Sequence, residues 1–335
     1  MESETKLVNQ NKNMDVLDIL KKTVTIYFKN INFIIFTFLT SLPYFFLMIY
    51  FETLFQQTLL LSPQIISSLP LFEKIYMFGN DTLSYIGEPS FVNDYLPLLI
   101  QLGFIYTVPL HVLEFFSAVI TIGLASKLSS EENHNDTSLM SIKHMFQNSN
   151  DISIMKRTFT TSLYMLALSF GLLIACPWTV IGTCYGLYSA FGCYIFFATI
   201  SCVAIGKLLM VYLEWSAIWN MSIATSVLDG IYGIRALRVS YFYSSGNQKR
   251  GLVLMLVFFV YGVFLRLICI YFGCYKGGSG IFLLIGIVGI LTVVNILKWV
   301  SCVIYFNDCK ERKMEMKVDD EEIGKVQLQS NSSKT

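Results

Sequence analysis

Thr158–Leu213 reads TFTTSLYMLALSFGLLIACPWTVIGTCYGLYSAFGCYIFFATISCVAIGKLLMVYL, a run whose only charged side chain is Lys207. A hydrocarbon core about 30 Å thick is crossed by roughly 20 helical residues at about 1.5 Å each. The run is too long for one crossing and must reverse, with the turn expected in Gly182-Thr183-Cys184-Tyr185-Gly186-Leu187. It therefore counts as two spans, Phe159–Gly182 and Tyr188–Leu213. Four further blocks are long enough to cross: Ile31–Leu54, Pro97–Gly123, Gly251–Cys274 and Gly280–Tyr305. Pro97–Gly123 is the least uniform, because it holds Gln101, Pro109, His111 and Glu114. With 54% hydrophobic and 14% charged residues, and a mean hydropathy of +0.58, a soluble globular chain is excluded. The expected fold is all-α: a polytopic membrane protein with six transmembrane helices plus interfacial amphipathic helices.

The near-zero net charge of +1 hides a strong asymmetry. The arm before the first block holds Lys6, Lys12, Lys21, Lys22 and Lys29. The second and fourth loops hold Lys127, Lys143, Lys156 and Arg157, and Arg235, Arg238, Lys249 and Arg250. Six more bases lie beyond Tyr305, whereas the opposite side has only Lys74 and Lys276. Under the positive-inside rule this places both termini in the cytosol. Nothing in the charge pattern suggests nucleic-acid binding. No cleavable signal is visible, so the first span is expected to target the chain to an endomembrane, such as the endoplasmic reticulum, or to the plasma membrane.

Residues 1–30 are expected to form a cytosolic arm with an amphipathic helix. Asp15, Asp18, Lys22, Thr25 and Lys29 recur at helical spacing opposite Leu17, Leu20, Val24 and Tyr27–Phe28. Asn13 is the expected cap, and the acids come early and the lysines late, as the helix dipole favours. Such a helix lies in the membrane interface. Before the fifth span, Ala224, Val227, Leu228, Ile231, Ile234 and Leu237 form a second apolar stripe, and Ser138–Arg157 is a weaker third. The membrane domain 31–305 can thus be read as three repeats of interfacial helix plus hairpin, with Val16-Leu17-Asp18 matched to Val227-Leu228-Asp229. The competing reading is that any cytosolic lead-in to a span looks amphipathic and basic. Phe55–Leu96 is broken by Pro63, Pro70 and Pro89 and reads as short helices on the outer surface. It carries the sequon Asn80-Asp81-Thr82, which makes Asn80 a candidate glycosylation site. The mixed-charge tail, 306–335, is expected to be disordered.

Charges inside a bilayer cost a few kcal/mol each and are usually paired or functional. Glu114, Lys207, Arg266 and Lys298 are the candidates. Glu114 is within expected reach of Lys207 or Lys298, and Arg266 has no evident acidic partner. They form either a polar path for a solute or pairs that fix helix packing, with the lysines snorkelling to the interface; pairing is the favoured reading. His111-Val112-Leu113-Glu114 lacks the second histidine of a zinc motif, and Gly277-Gly278-Ser279-Gly280 is no nucleophile elbow. The eight cysteines include no Cys-x-x-Cys pair, and Cys184, Cys193 and Cys274 are the ones placed for an outer disulfide. Cys309 is a candidate for palmitoylation. No catalytic residue, metal or cofactor is expected.

Tyr212-Leu-Glu-Trp215-Ser-Ala-Ile-Trp-Asn220, Ser226-Val-Leu-Asp-Gly-Ile-Tyr-Gly233-Ile-Arg-Ala-Leu237 and Val303-Ile-Tyr-Phe-Asn-Asp-Cys309-Lys310 carry a likeness. Over most of Val16–Lys310 the chain resembles a group of plant six-span membrane proteins without an assigned activity. More distantly, the layout looks like the multi-span domain attached to some bacterial glycerophosphodiester phosphodiesterases. The soluble catalytic domain of those enzymes has no counterpart in these residues, so their activity is not carried over. The resemblance implies a plant endomembrane or plasma-membrane protein and supplies no site residues. The expected role is a non-enzymatic membrane scaffold or trafficking accessory in contact with membrane lipids and with protein partners on the cytosolic face. A small-solute or lipid transporter using the buried charges is the alternative.

Overall fold

The computed structural model describes residues 14–68, 96–133, 155–172, 194–275 and 280–332, and every regular element among them is helical. In chain order these are α1 (Val16–Lys29), α2 (Ile31–Ser68), α3 (Leu96–Ile105), a π-turn (Tyr106–Leu110), α4 (His111–Asn133), α5 (155–172), α6 (Tyr194–Leu228), α7 (Ile234–Ser244), α8 (Gln248–Tyr275) and α9 (Gly280–Ser332). Among the described residues five stretches are long and apolar enough to cross a membrane: Ile31–Thr58, Pro97–Ser129, Cys202–Leu228, Gln248–Tyr271 and Phe282–Glu315. Of the expected third span, only the α5 portion is described, and the expected turn at Gly182–Leu187 lies outside the described residues. The surface carries large apolar side chains such as Phe46, Phe104, Phe264 and Phe282, the last 82% exposed. A bilayer satisfies that surface and water does not.

Pro97–Ser129 remains one continuous helical rod despite Pro109. Proline has no N–H to give the carbonyl one turn back, and its ring crowds that carbonyl. The helix widens into the single π-turn Tyr106–Leu110 instead of breaking.

The chain packs as two compact units. The first comprises Met1–Ile34, Val119–Phe259 and Leu297–Thr335, and the second Ile35–Ala118 and Val260–Ile296. In the first, α1 is capped by Asp15 rather than Asn13. Asp15 Oδ1 accepts from the Val16 N–H, and the Asp15 N–H donates to Asp18 Oδ2, both at 3.2 Å. This reciprocal box satisfies N–H groups that the helix leaves unpaired. Asn30 then restarts the chain as α2, its Oδ1 accepting the Phe33 N–H at 3.3 Å.

Helix α1 has three faces rather than two. Val16, Ile19, Thr23, Ile26 and Tyr27 are buried, and Thr23 Oγ1 meets Ser301 Oγ at 2.9 Å. Leu17, Val24 and Phe28 form an adjoining apolar but exposed stripe, and Asp18, Lys21, Lys22, Thr25 and Lys29 make the polar remainder. At 3.6 residues per turn, these groups occupy three successive sectors of the helix.

The stripe expected from Ala224 to Leu237 is not one helix. Helix α6 runs past Leu213 to Leu228 because Ala217, Ile218, Met221 and Ala224 pack inside. Thr225 Oγ1 turns back onto the Met221 carbonyl at 2.9 Å, so its hydroxyl is satisfied within the helix. The chain breaks at Gly230 and Gly233, with φ of +68° and +66°, values that a Cβ disfavours. Consequently Val16-Leu17-Asp18 opens a helix whereas Val227-Leu228-Asp229 closes one, so the two triplets are not structurally equivalent. Helix α7 is held by Thr225 Oγ1 to Ser240 Oγ at 2.8 Å. Nearby, the Gly233 N–H donates to Thr161 Oγ1 of α5 at 2.8 Å. At Gly251 a Cβ would stand 2.8 Å from the Tyr305 hydroxyl and 3.1 Å from the Ala217 Cβ, so a larger residue there would have to displace the end of the Tyr305 ring.

The tail expected to be disordered continues α9 to Ser332. The sequence from Gly280 to Thr335 has no proline, and Arg312 Nη2 reaches back to Asp308 Oδ1 at 3.0 Å, an i,i+4 pair that supports the helix.

The second unit is built on an apolar core that includes Met48, Phe51, Leu110, Leu265, Leu284 and Val288.

Candidate functional site

Two groups of polar residues stand out, one in each unit. In the second unit, Arg266 Nε of α8 lies 3.1 Å from Glu52 Oε1 of α2. The Glu52 side chain is 1% exposed and that of Arg266 43%. Tyr44 packs against the same apolar core as Phe51 and Leu265, whose chain neighbours Glu52 and Arg266 form this pair. One turn beyond Glu52, Gln56 Nε2 donates to the Cys269 carbonyl at 3.3 Å. Gln101 Nε2 donates to the Tyr50 hydroxyl at 2.8 Å. An ion pair in a low-dielectric medium is strong only when both members are held in place. Here the surrounding amide and phenol groups tie α2, α3 and α8 together. The geometry can lock helices or hold a charge within an apolar layer. Among the described residues no three His, Cys, Asp or Glu side chains converge as a metal site.

In the first unit, Asp308 of α9 is the hub. Arg250 Nη1 lies 3.1 Å from Asp308 Oδ2 and also donates to the Met14 carbonyl at 2.8 Å. Arg312 Nε and Nη2 donate to Asp308 Oδ1 at 3.2 and 3.0 Å. Two residues on, Lys310 Nζ pairs with Asp229, just past the end of α6. Tyr305 donates to the Asn247 carbonyl at 3.1 Å and meets Ser244 Oγ at 3.3 Å. These contacts join the segment before α1, the α6–α7 break, the start of α8 and the 305–312 part of α9.

The expected charged residues are therefore dispersed. Arg266 has an acidic partner after all, Glu52. Glu114 is half-buried on α4 in the second unit, Lys298 is half-buried on α9 in the first, and neither is free. Lys298 Nζ also lies 4.8 Å from the centre of the Trp299 ring. Lys207 is exposed along α6, a position that suits snorkelling. Cys309 is fully buried. A thiol closed off from lipid and solvent is a poor acyl acceptor, so the palmitoylation assignment does not fit this structure. Asn80 lies outside the described residues, as do Cys184 and Cys193.

Sequence reasoning missed Glu52, Asp229 and Asp308. Glu52 was the most findable, being the one charged residue within Ile31–Leu54. Asp308 and Asp229 look like ordinary loop acids until the helices extend beyond the hydropathy boundaries. Comparison with protein-family models, with curated proteins and with solved structures finds no match to this chain.

Proposed function

We propose that the chain is a non-enzymatic six-span membrane scaffold or trafficking accessory, with both termini cytosolic and a rigid cytosolic platform for protein partners. The observation that carries this reading is the Asp308 hub. Arg250, Arg312 and the Met14 carbonyl converge there, and Lys310–Asp229 ties down the α6–α7 break beside it. Charge engaged in fixing helix ends to one another suits a presenting surface better than a reaction centre. Recovery of partners from mild detergent, using native protein and Asp308→Ala, tests the proposal. Specific partners should co-purify with the native chain and be depleted with the variant. A monomer that brings down nothing specific would count against it.

The second reading is a small-solute or lipid transporter, favoured by the Glu52–Arg266 pair inside apolar helices. Substrate flux in reconstituted vesicles that is lost on changing Glu52, Glu114 or Lys298 would decide for it.

A further inference from the structure

Six bases, on α7, at the start of α8 and at 310–312 of α9, fall into two classes. Arg250, Lys310 and Arg312 are engaged by Asp308 or Asp229. Arg235, Arg238 and Lys249 are exposed and have no carboxylate partner among the described residues. No acid occurs between Gly230 and Arg250. Arg235 and Arg238, two of the three unpaired bases, share one sector of α7. On α7, Ala236, Ser240 and Ser244 face inward, and the opposite sector carries Ile234, Arg235, Arg238, Tyr241 and Phe242, all exposed. Lys313 Nζ lies 5.2 Å from the centre of the Phe242 ring, adding a further cation to that sector.

The chain's connectivity limits what this face can meet. Helix α7 is joined at one end to the candidate span Cys202–Leu228 and at the other to Gln248–Tyr271. A short helix between two crossings is confined to the membrane edge. Exposed Ile, Tyr and Phe side chains beside arginines match the boundary where acyl chains meet headgroups. A guanidinium presents a planar fork that matches phosphate geometry. We infer that the outward face of α7 binds anionic phospholipid headgroups, with Arg235 and Arg238 holding the phosphate and Ile234, Tyr241 and Phe242 seated at the acyl boundary. The inference rests on the cytosolic-edge placement proposed above and is independent of the scaffold role. The exposed Leu17, Val24 and Phe28 of α1, next to Lys21, repeat the same pairing of apolar and basic groups in the same unit.

The test uses full-length protein in neutral detergent, titrated with phosphatidylserine or with phosphatidylcholine, and bound lipid counted by native mass spectrometry. Phosphatidylserine should bind in preference to phosphatidylcholine. Each basic residue near an anionic surface contributes roughly fivefold, so Arg235→Gln with Arg238→Gln should weaken phosphatidylserine binding on the order of tenfold or more. Arg235→Lys with Arg238→Lys should retain most of it, and the thermal unfolding midpoint should be the same for all three proteins. Equal phosphatidylserine affinity in native and glutamine proteins would overturn the inference, as would no preference over phosphatidylcholine. Displacement of the lipid by inorganic phosphate or by polyglutamate at comparable concentration would also overturn it, pointing to a free-anion or acidic-peptide site. Each of these failures leaves partner recovery, and hence the scaffold reading, unaffected.

Discussion

Glu52 is an almost fully buried carboxylate in a helix suited to crossing a membrane, and Arg266 is what makes its position tolerable. Removing one member of such a pair leaves an isolated charge in a low-dielectric site, at a typical cost of 3–5 kcal/mol. Removing both costs much less. We therefore expect Arg266→Gln and Glu52→Gln each to destabilise the protein by roughly 3 kcal/mol, and the double variant to recover most of that loss. Thermal unfolding of the four proteins in one neutral detergent should then give a coupling energy larger than the loss caused by either single variant. Additive losses would mean that the two side chains act independently. The membership of this pair was half legible in the sequence, because Arg266 and Glu52 each stand out among apolar neighbours. Their meeting was not, since hydropathy shows where a span runs and not which face of it turns toward another. The same lack of rotational information made Cys309 look accessible when the phase of α9 turns it inward.

The amphipathic elements were legible as elements and misread in their limits. The turn before α7 was announced by Asp229-Gly230 and Gly233, yet the apolar stripe continues through it. Stripe and break are both real, since α6 and α7 bury small residues on either side of the same corner. Helix α6 overruns its hydropathy boundary because hydropathy penalises Ser222, Thr225 and Ser226, whereas their hydroxyls are buried and bonded. Helix α9 likewise continues past Tyr305, where Asp308, Lys310 and Arg312 are paired along the helix and across it. Asp308 is the element-scale weak point. A hydrogen bond to a charged group is worth about 1.5–3 kcal/mol. Asp308→Asn, which weakens two arginine contacts, should lower stability by about 2 kcal/mol and speed amide exchange first in α1 and the start of α8. Unchanged exchange there would show that apolar packing alone holds these elements.

For the whole molecule the decisive quantity is the parity of crossings. Among the described residues five stretches meet the length and apolarity of a span, and an odd number of crossings would put the two termini on opposite sides of the membrane. Thr158–Leu213 supplies the missing crossing if α5 spans and the chain reverses before α6. That proposed count, with the distribution of lysine and arginine, underlies the proposed cytosolic platform and the proposed lipid-facing sector of α7. The measurement that tests it most directly places epitope tags at both termini of the full chain, in sealed microsomes with the cytosolic face outward, exposed to an impermeant protease. The account predicts that both tags are removed while the membranes remain intact. Protection of either tag, with release only after detergent is added, would contradict it.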